Sequence, residues 1–290
     1  MIMVNLKGGL GNQMFQYALG RKLSLANEDT LMLDTAGLIR AQESGDVSRP
    51  FALDAYRISG TVASPERAAR ARYPYGTLSK LAHVFRTKLL RKMQIGWEPA
   101  LLHAHGDAYL DGYFQSPKYF DDIRATLLKD FTLKAKPSTA AQKFQIALRG
   151  KESVSVHIRR GDYVSNVKIQ KAYGICSSDY YREAIKEIGR RVPSPSWFVF
   201  SDDILWVKEH LAFPGEVTYV SGQGISDAEE LMLMATCKHN IIANSSFSWW
   251  GAWLNQNPDK IVIAPDPWFD SKKDNHKDLI PDSWMRAPKN

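Results

Sequence analysis

Cysteine is nearly absent. Cys176 and Cys237 are the only two in 290 residues, and neither belongs to a Cys-x-x-Cys pair. That excludes a disulfide framework and speaks against a thiolate zinc site. Long apolar runs are missing as well. No stretch of 18 apolar residues occurs, so no membrane-crossing helix is expected. Only a few apolar residues precede Lys7-Gly8-Gly9, too few for a signal peptide, and the expected location is the cytosol. Internal repeats and low-complexity tracts are lacking too. Acidic residues are in the minority: 38 Lys plus Arg against 31 Asp plus Glu, a net charge of +7. So modest an excess fits an anionic ligand or a membrane surface as well as nucleic acid. What is present is apolar: hydrophobic residues make up 44% of the chain, enough for the cores of two ordinary domains.

The order of those apolar residues predicts an α/β protein. Residues 2–6 read as a first strand, followed by the Gly8-Gly9-Leu10-Gly11-Asn12-Gln13 loop. A helical pattern then places Phe15, Leu19, Leu23 and Ala26 on one face, and a strand follows at 31–33. This is a Rossmann-like opening. The stretch 40–145 is less regular. From about 150, strands are expected at 153–158, 197–200, 217–220, 240–243 and 260–264. Helices are expected at 178–190, 203–211, 226–237 and 246–256. Alternation of β and α argues for parallel sheets covered by helices on both faces. Two Rossmann-like domains are read, 1–145 and 146–290, with Pro137-Ser138-Thr139 as hinge region.

In open α/β sheets, ligands bind outside the carboxyl ends of the strands. The residues expected there form a coherent set. Val154, Val156 and Ile158 alternate and lead into Arg159-Arg160-Gly161-Asp162. Arginine presents a rigid fork of donors suited to phosphate oxygens, so the pair reads either as a diphosphate clamp or as a solvated loop. Ser201-Asp202-Asp203 follows the next strand and either caps a helix or accepts hydrogen bonds from a base or ribose. Asn244-Ser245-Ser246-Phe247 follows another, with hydroxyls and helix-terminal N–H groups that cap a helix or hold an anion. Phe247, Trp249, Trp250 and Trp253 read as helix–sheet packing in preference to a sugar platform. The Gly8–Asn12 loop is neither Gly-x-Gly-x-x-Gly nor a P-loop; it allows close backbone approach to a ligand or simply joins strand to helix.

No two aspartates are separated by a single residue, so the Asp-x-Asp metal signature of many sugar-nucleotide transferases is missing. The one close histidine pair, His103 and His105, is better explained by a surface loop. No metal site is expected, and a departing diphosphate would be stabilised by arginine and helix N-termini. Residues 65–95 hold eight Lys or Arg and one acidic residue, Glu66, with Leu78, Leu81, Phe85, Leu89 and Met93 on one helical face. Such a helix either lies on an anionic membrane or packs its apolar face inward and solvates the basic one.

Taken in order, these motifs resemble the α-1,2-fucosyltransferases of glycosyltransferase family 11. The stretches that carry the resemblance are Gly8–Ala18, His157–Tyr163, Phe200–Asp203 and Asn244–Leu254. The resemblance implies a GT-B-like fold of two facing Rossmann-like domains, the first on the acceptor side and the second binding the donor. It implies GDP-β-L-fucose as donor, the 2-hydroxyl of a galactose-containing glycan, free or lipid-linked, as acceptor, inversion at the anomeric carbon, and no essential metal or other cofactor. It places Arg159 on the donor phosphates. Beside it, Arg160 assists or anchors the loop through a carboxylate, and Asp162, the nearest carboxylate in sequence, serves as base or orders the loop. His157, Asp202, Asp203, Ser245, Ser246 and Phe247 would help hold GDP. Gly9, Gly11 and Asn12 would approach the fucose or phosphate from the opposite domain. The absence of a membrane stem fits a bacterial, cytoplasmic member, peripheral at the membrane if 65–95 touches it. Trp97, Asp111, Tyr113 and Gln115 are the candidates for reading the acceptor. Rival readings are a UDP- or ADP-sugar transferase and a nucleotide- or carbohydrate-binding regulator. Nucleic acid fits least, because 65–95 lacks regularly interleaved aromatics.

Overall fold

The computed structural model describes residues 1–38, 49–74, 95–166, 170, 173–270 and 277–290. They form two compact units. One comprises Met1–Lys134 with a short piece of the C-terminal stretch up to Leu279, and the other begins at Ala135 and takes in Ile280–Asn290.

The first unit is built on a parallel sheet. β1 (Ile2–Asn5) leads through the glycine loop into α1 (Leu10–Ala26) and β2 (Leu31–Asp34). β3 (Thr61–Val62) precedes α2 (Pro65–Arg72), which starts at Ser64: its hydroxyl accepts the Arg67 N–H at 3.3 Å, and Pro65 supplies the pre-set φ of a first helical position. β4 (Ala108–Leu110) and α3 (Arg124–Asp130) complete the described frame. The strand order is β3-β2-β1-β4. β1 is central and pairs in parallel with β2 (Val4 with Leu33) and with β4 (Val4 with Leu110). α1 buries Met14, Phe15, Leu19 and Leu23. It is tied down by the Tyr17 hydroxyl and Arg21 Nε, which donate to Asp130 at 2.6 and 3.0 Å.

The second unit begins at Ala135 and opens with α4 (Thr139–Leu148), the helix in which the boundary read between 145 and 146 falls. β5 (Ser153–Ile158), α5 (Gly161–Ser165), α6 (Ser178–Arg191), β6 (Ser196–Ser201), α7 (Ile204–His210) and β7 (Val217–Tyr219) follow. Then come α8 (Asp227–Thr236), β8 (His239–Ile241), α9 (Ser246–Leu254), β9 (Val262–Asp266) and β10 (Met285–Pro288). The order is β10-β9-β8-β5-β6-β7, every pairing parallel. Both faces are covered. Val154, Val156, Ile158, Trp197 and Val199 pack on Tyr180, Ile185 and Ile188 of α6. Phe198 and Phe200 pack on Leu148 of α4 and on Leu233 and Met234 of α8. Each such apolar side chain removed from water contributes about 1.5–3 kcal/mol.

The alternation in β5 therefore does not mark a solvent face, since all six of its residues are buried. Its polar side is paid off internally: Ser155 accepts from Asn240 Nδ2 at 2.7 Å and Ser153 from the Lys238 amide at 3.1 Å. Trp249, Trp250 and Trp253 are core residues, packed on one another, with Trp249 also against Trp284.

Candidate active site

Winding dictates where a crevice opens. From β5 the chain runs outward to β6 and β7, then crosses back to place β8 on the other side of β5. Helices leaving the two neighbouring strand ends on opposite faces open a gap at that switch point. Arg159 and Arg160 leave the end of β5, and Asn244, Ser245, Ser246 and Phe247 leave the end of β8. The two ends are joined: the Tyr163 hydroxyl donates to the Asn244 carbonyl at 3.1 Å, and the His157 and Phe247 rings lie 5.6 Å apart.

The arginines are held by the end of β6. Arg159 Nη1 stands 3.0 Å from Asp202 Oδ2, and the Arg160 amide donates to Asp202 Oδ1 at 2.8 Å. Arg160 Nε donates to Asp203 Oδ2 at 3.1 Å, and its guanidinium lies 3.9 Å from the Trp206 ring centroid, a close cation–π contact. Asp203 also caps α7 by accepting the Trp206 N–H. The helix-cap reading of the Ser201-Asp202-Asp203 turn is met by Asp203, and both carboxylates are engaged with the two guanidiniums. Gly161 makes the arrangement possible. A Cβ there would stand 2.6 Å from Asp202 Oδ2. Asp162 falls within α5, and its side chain lies outside what the structure describes.

Around this network the groups are neutral or capped. Burial, aided by the Arg159 charge, pushes His157 down to about 3, so the ring is uncharged, and its Nδ1 has no partner among the described residues. The Ser245 hydroxyl caps α9 by accepting the Phe247 N–H at 3.4 Å; Ser246 and Phe247 are half-buried at the helix start. The Asn244 side chain stitches three carbonyls together, those of Tyr173, Gly174 and Trp268.

One group here was not legible in the sequence. Glu230 on α8 is half-buried beside Ser221 and near Asp202. Burial pushes its carboxyl up to about 7, the Asp227 and Asp202 charges add to the rise, and a hydrogen bond with Ser221 opposes it. Ser221 in turn accepts the Ser201 amide at 3.0 Å, which ties Glu230 to the same strand end as the aspartates.

The first unit has its own switch point, between β1 and β4. Gly9 is the uncapped N-cap of α1, Gly11 is buried in its first turn, and Asn12 is half-buried beside them. Gln115, beyond β4, donates from Nε2 to Asn12 Oδ1 at 2.8 Å. Lys7 Nζ and Asn5 Nδ2 both donate to Asp111 Oδ1, at 2.7 and 2.8 Å, and Lys7 lies over the Tyr113 ring. Phe114 has φ +52°, the left-handed region, which costs a bulky residue about 1–3 kcal/mol. The buried Gln115 Oε1 has no hydrogen-bond partner among the described residues, a further cost of about 1–3 kcal/mol. Trp97 packs instead on Tyr119, ring centroids 4.7 Å apart. Of the basic segment 65–95, α2 is described, and Arg72 there is paired with Asp34. Leu78, Leu81, Phe85, Leu89 and Met93 lie outside the described residues.

Among the described residues, no group of three or more His, Cys, Asp or Glu side chains is arranged to hold a metal ion. No helix there is long and apolar enough to cross a membrane.

Comparison with known proteins places this geometry. The crystal structure of the fucosyltransferase NodZ from Bradyrhizobium superposes with a TM-score of 0.51, covering 86% of this chain and 91% of that one at 15% identity. That likeness speaks for the fold, which is GT-B-like. An alpha-1,2-colitosyltransferase of Escherichia coli is 35% identical over 300 residues, 99% of each chain. A galactoside 2-alpha-L-fucosyltransferase of Bos taurus is 32% identical over 152 residues, 50% of this chain and 41% of that one. The family model for glycosyl transferase family 11 matches residues 92–287. With that match over most of its length and a relative this similar from end to end, the chain belongs to glycosyltransferase family 11 and is a glycosyltransferase.

Proposed function

We propose that the enzyme transfers L-fucose from GDP-β-L-fucose to the 2-hydroxyl of a galactoside, with inversion and without an essential metal. The observation that carries this reading is Arg159, aligned by Asp202 at the end of β5 beside the switch point and the start of α9. The acceptor hydroxyl attacks the anomeric carbon as GDP departs from the opposite face, and negative charge grows on the β-phosphate. A preset guanidinium favours that charge more in the transition state than in the ground state. Arg160, tied to Asp203 and Trp206, holds the loop. His157, Ser245, Ser246 and Phe247 line the donor crevice. Asp162 is the nearest carboxylate in sequence for proton removal from the acceptor. The first unit serves the acceptor, a galactose-containing glycan. A lipid-linked acceptor would suit a cytoplasmic enzyme whose basic 65–95 segment meets the inner face of the membrane.

Fucose is supported by the motif set and by the relatives named as galactoside 2-alpha-L-fucosyltransferases. One relative similar over the whole chain is named for colitose, so colitosyl transfer through the same 1,2-linkage is the second reading. The test is a donor panel of GDP-fucose, a colitose nucleotide, and UDP- and ADP-sugars against galactoside acceptors, with linkage analysis of the product. An α-1,2-fucosyl galactoside is expected. Transfer only from another donor, or GDP-fucose binding with no GDP released when acceptor is added, overturns the reading. Arg159→Ala should keep its fold and melting transition yet lose about 10²–10³-fold in kcat, the range for removing one oxyanion donor. Near-normal turnover in that variant would remove Arg159 from the reaction.

A further inference from the structure

We propose that Gln115 is a positioning residue that fixes the side-chain amide of Asn12, presenting Asn12 Nδ2 as a donor at the switch point of the first unit. The inference rests on the reading above, in which Asn12 faces the substrates. Gln115 Nε2 donates to Asn12 Oδ1 at 2.8 Å. An amide has one acceptor end and one donor end, so occupying Oδ1 with a donor settles which end faces outward. Among the described residues nothing accepts a hydrogen bond from Asn12 Nδ2. Gly8 completes the restraint. It has φ +76°, and a Cβ there would stand 2.6 Å from Asn12 Nδ2. The first glycine of the loop thus gives the amide room on the side away from Gln115.

Stability does not explain this pair. Gln115 is held in place by its own N–H, which donates to the Ile95 carbonyl, and it follows Phe114 in the left-handed region. Its Oε1 is buried without a partner. A strained aromatic and an orphaned carbonyl together cost more than one neutral hydrogen bond between amides returns. Such a cost is concentrated where a side chain must be aimed. The pair also spans the switch point, one residue following β1 and the other following β4, where ligands of open α/β sheets collect. Gln115 therefore acts through Asn12, not as a reader of the acceptor.

The test is a kinetic double-mutant cycle on Asn12→Ala and Gln115→Glu. Glutamate keeps the shape of glutamine but is acceptor-only when ionised, so it reverses the demand on the Asn12 amide. Gln115→Glu should lower kcat about 10- to 100-fold, as a misplaced catalytic-site group does, with both KM values within about threefold and a cooperative melting transition showing that the variant is folded. In the Asn12→Ala background the same change should cost less than about twofold, because contacting residues that act as a unit are not additive. Gln115→Met, uncharged and similar in size, serves if the glutamate variant does not fold, and the same non-additivity is expected. Additive losses, a rise in acceptor KM at constant kcat, or wild-type kinetics in the single variants would each overturn the inference. The cycle is run with whichever donor of the panel the wild-type enzyme uses. Failure of GDP-fucose as donor then counts against the reading above and leaves the cycle intact.

Discussion

Glu230 shows how burial changes the chemistry of one side chain. Its carboxyl sits at about 7 in the fold against 4.5 for the free group, chiefly through desolvation. Below pH 4.5 both states hold the proton and the site costs nothing. Between 4.5 and 7 the unfolded chain releases it first, so wild-type stability falls as pH rises, and above 7 the full cost is present. Glu230→Gln carries no such proton. Its stability relative to wild type should therefore climb from pH 4.5 to 7 and stay level above, by at most about 3 kcal/mol at 1.36 kcal/mol per pKa unit. Urea midpoints at pH 4.5, 6 and 8 measure this, and an advantage that is flat with pH or largest in acid would contradict it. The sequence hides Glu230 because Asp227, Glu229 and Glu230 read together as the acidic first turn of a capped helix. Ser226 and Glu229 do form that capping box. Only the tertiary fold sets Glu230 apart, by placing it against Ser221 and near Asp202. Asp202 and Asp203 carry the same lesson: their composition suits ribose or base, while their geometry gives them arginines.

At the scale of the element, the turn from β5 into α5 leaves no room for a side chain at its glycine. Asp202 bridges the Arg159 guanidinium and the Arg160 amide, and Gly161 leaves the space in which that carboxylate lies. Gly161→Ala puts a methyl group on Oδ2. The carboxylate must swing away, and Arg159 loses its alignment. We expect kcat to fall by roughly 10- to 100-fold, the cost of about 1 Å of misplacement, while thermal stability changes little because the turn lies outside the core. A glycosyl-transfer assay beside a melting curve decides it, and activity retained in a folded variant would show that Asp202 does not set the arginine. Elements with strong apolar periodicity, such as β5, β6, α6 and α8, are legible in the sequence because a parallel sheet buries long apolar runs. β4 and β10 were not. β4 has three residues, Ala108–Leu110, and β10 contains Arg286 and ends at Pro288, so neither presents a run long enough to read. Their pairing comes from the neighbouring strands, β1 and β9.

Across the whole molecule, one design appears twice without a repeat in the sequence. Each unit places its first strand inside a parallel sheet, runs outward on one side and returns on the other. Each fills the resulting switch point with the motif that follows the central strand: the glycine loop and Asn12 after β1, the arginine pair after β5. The chemistry at the two points differs in a way that bears on metal use. The first holds amides and one lysine–aspartate pair, and the second holds two guanidiniums, each matched to a carboxylate. A departing diphosphate needs positive charge, and in the proposed reading the arginine pair after β5 supplies it. A chain with net charge +7 adds a favourable long-range field for an anionic donor. The two aspartates nearest the crevice are engaged with arginine, so recruiting a divalent ion there would mean breaking both pairs. Turnover should therefore hold within about twofold in excess EDTA, since preset dipoles and cations can carry the leaving charge without a metal. It should instead fall as ionic strength rises, because salt screens the field that draws the donor in. Complete loss of activity in EDTA, restored by Mn²⁺, would mean that a metal and not Arg159 neutralises the leaving group.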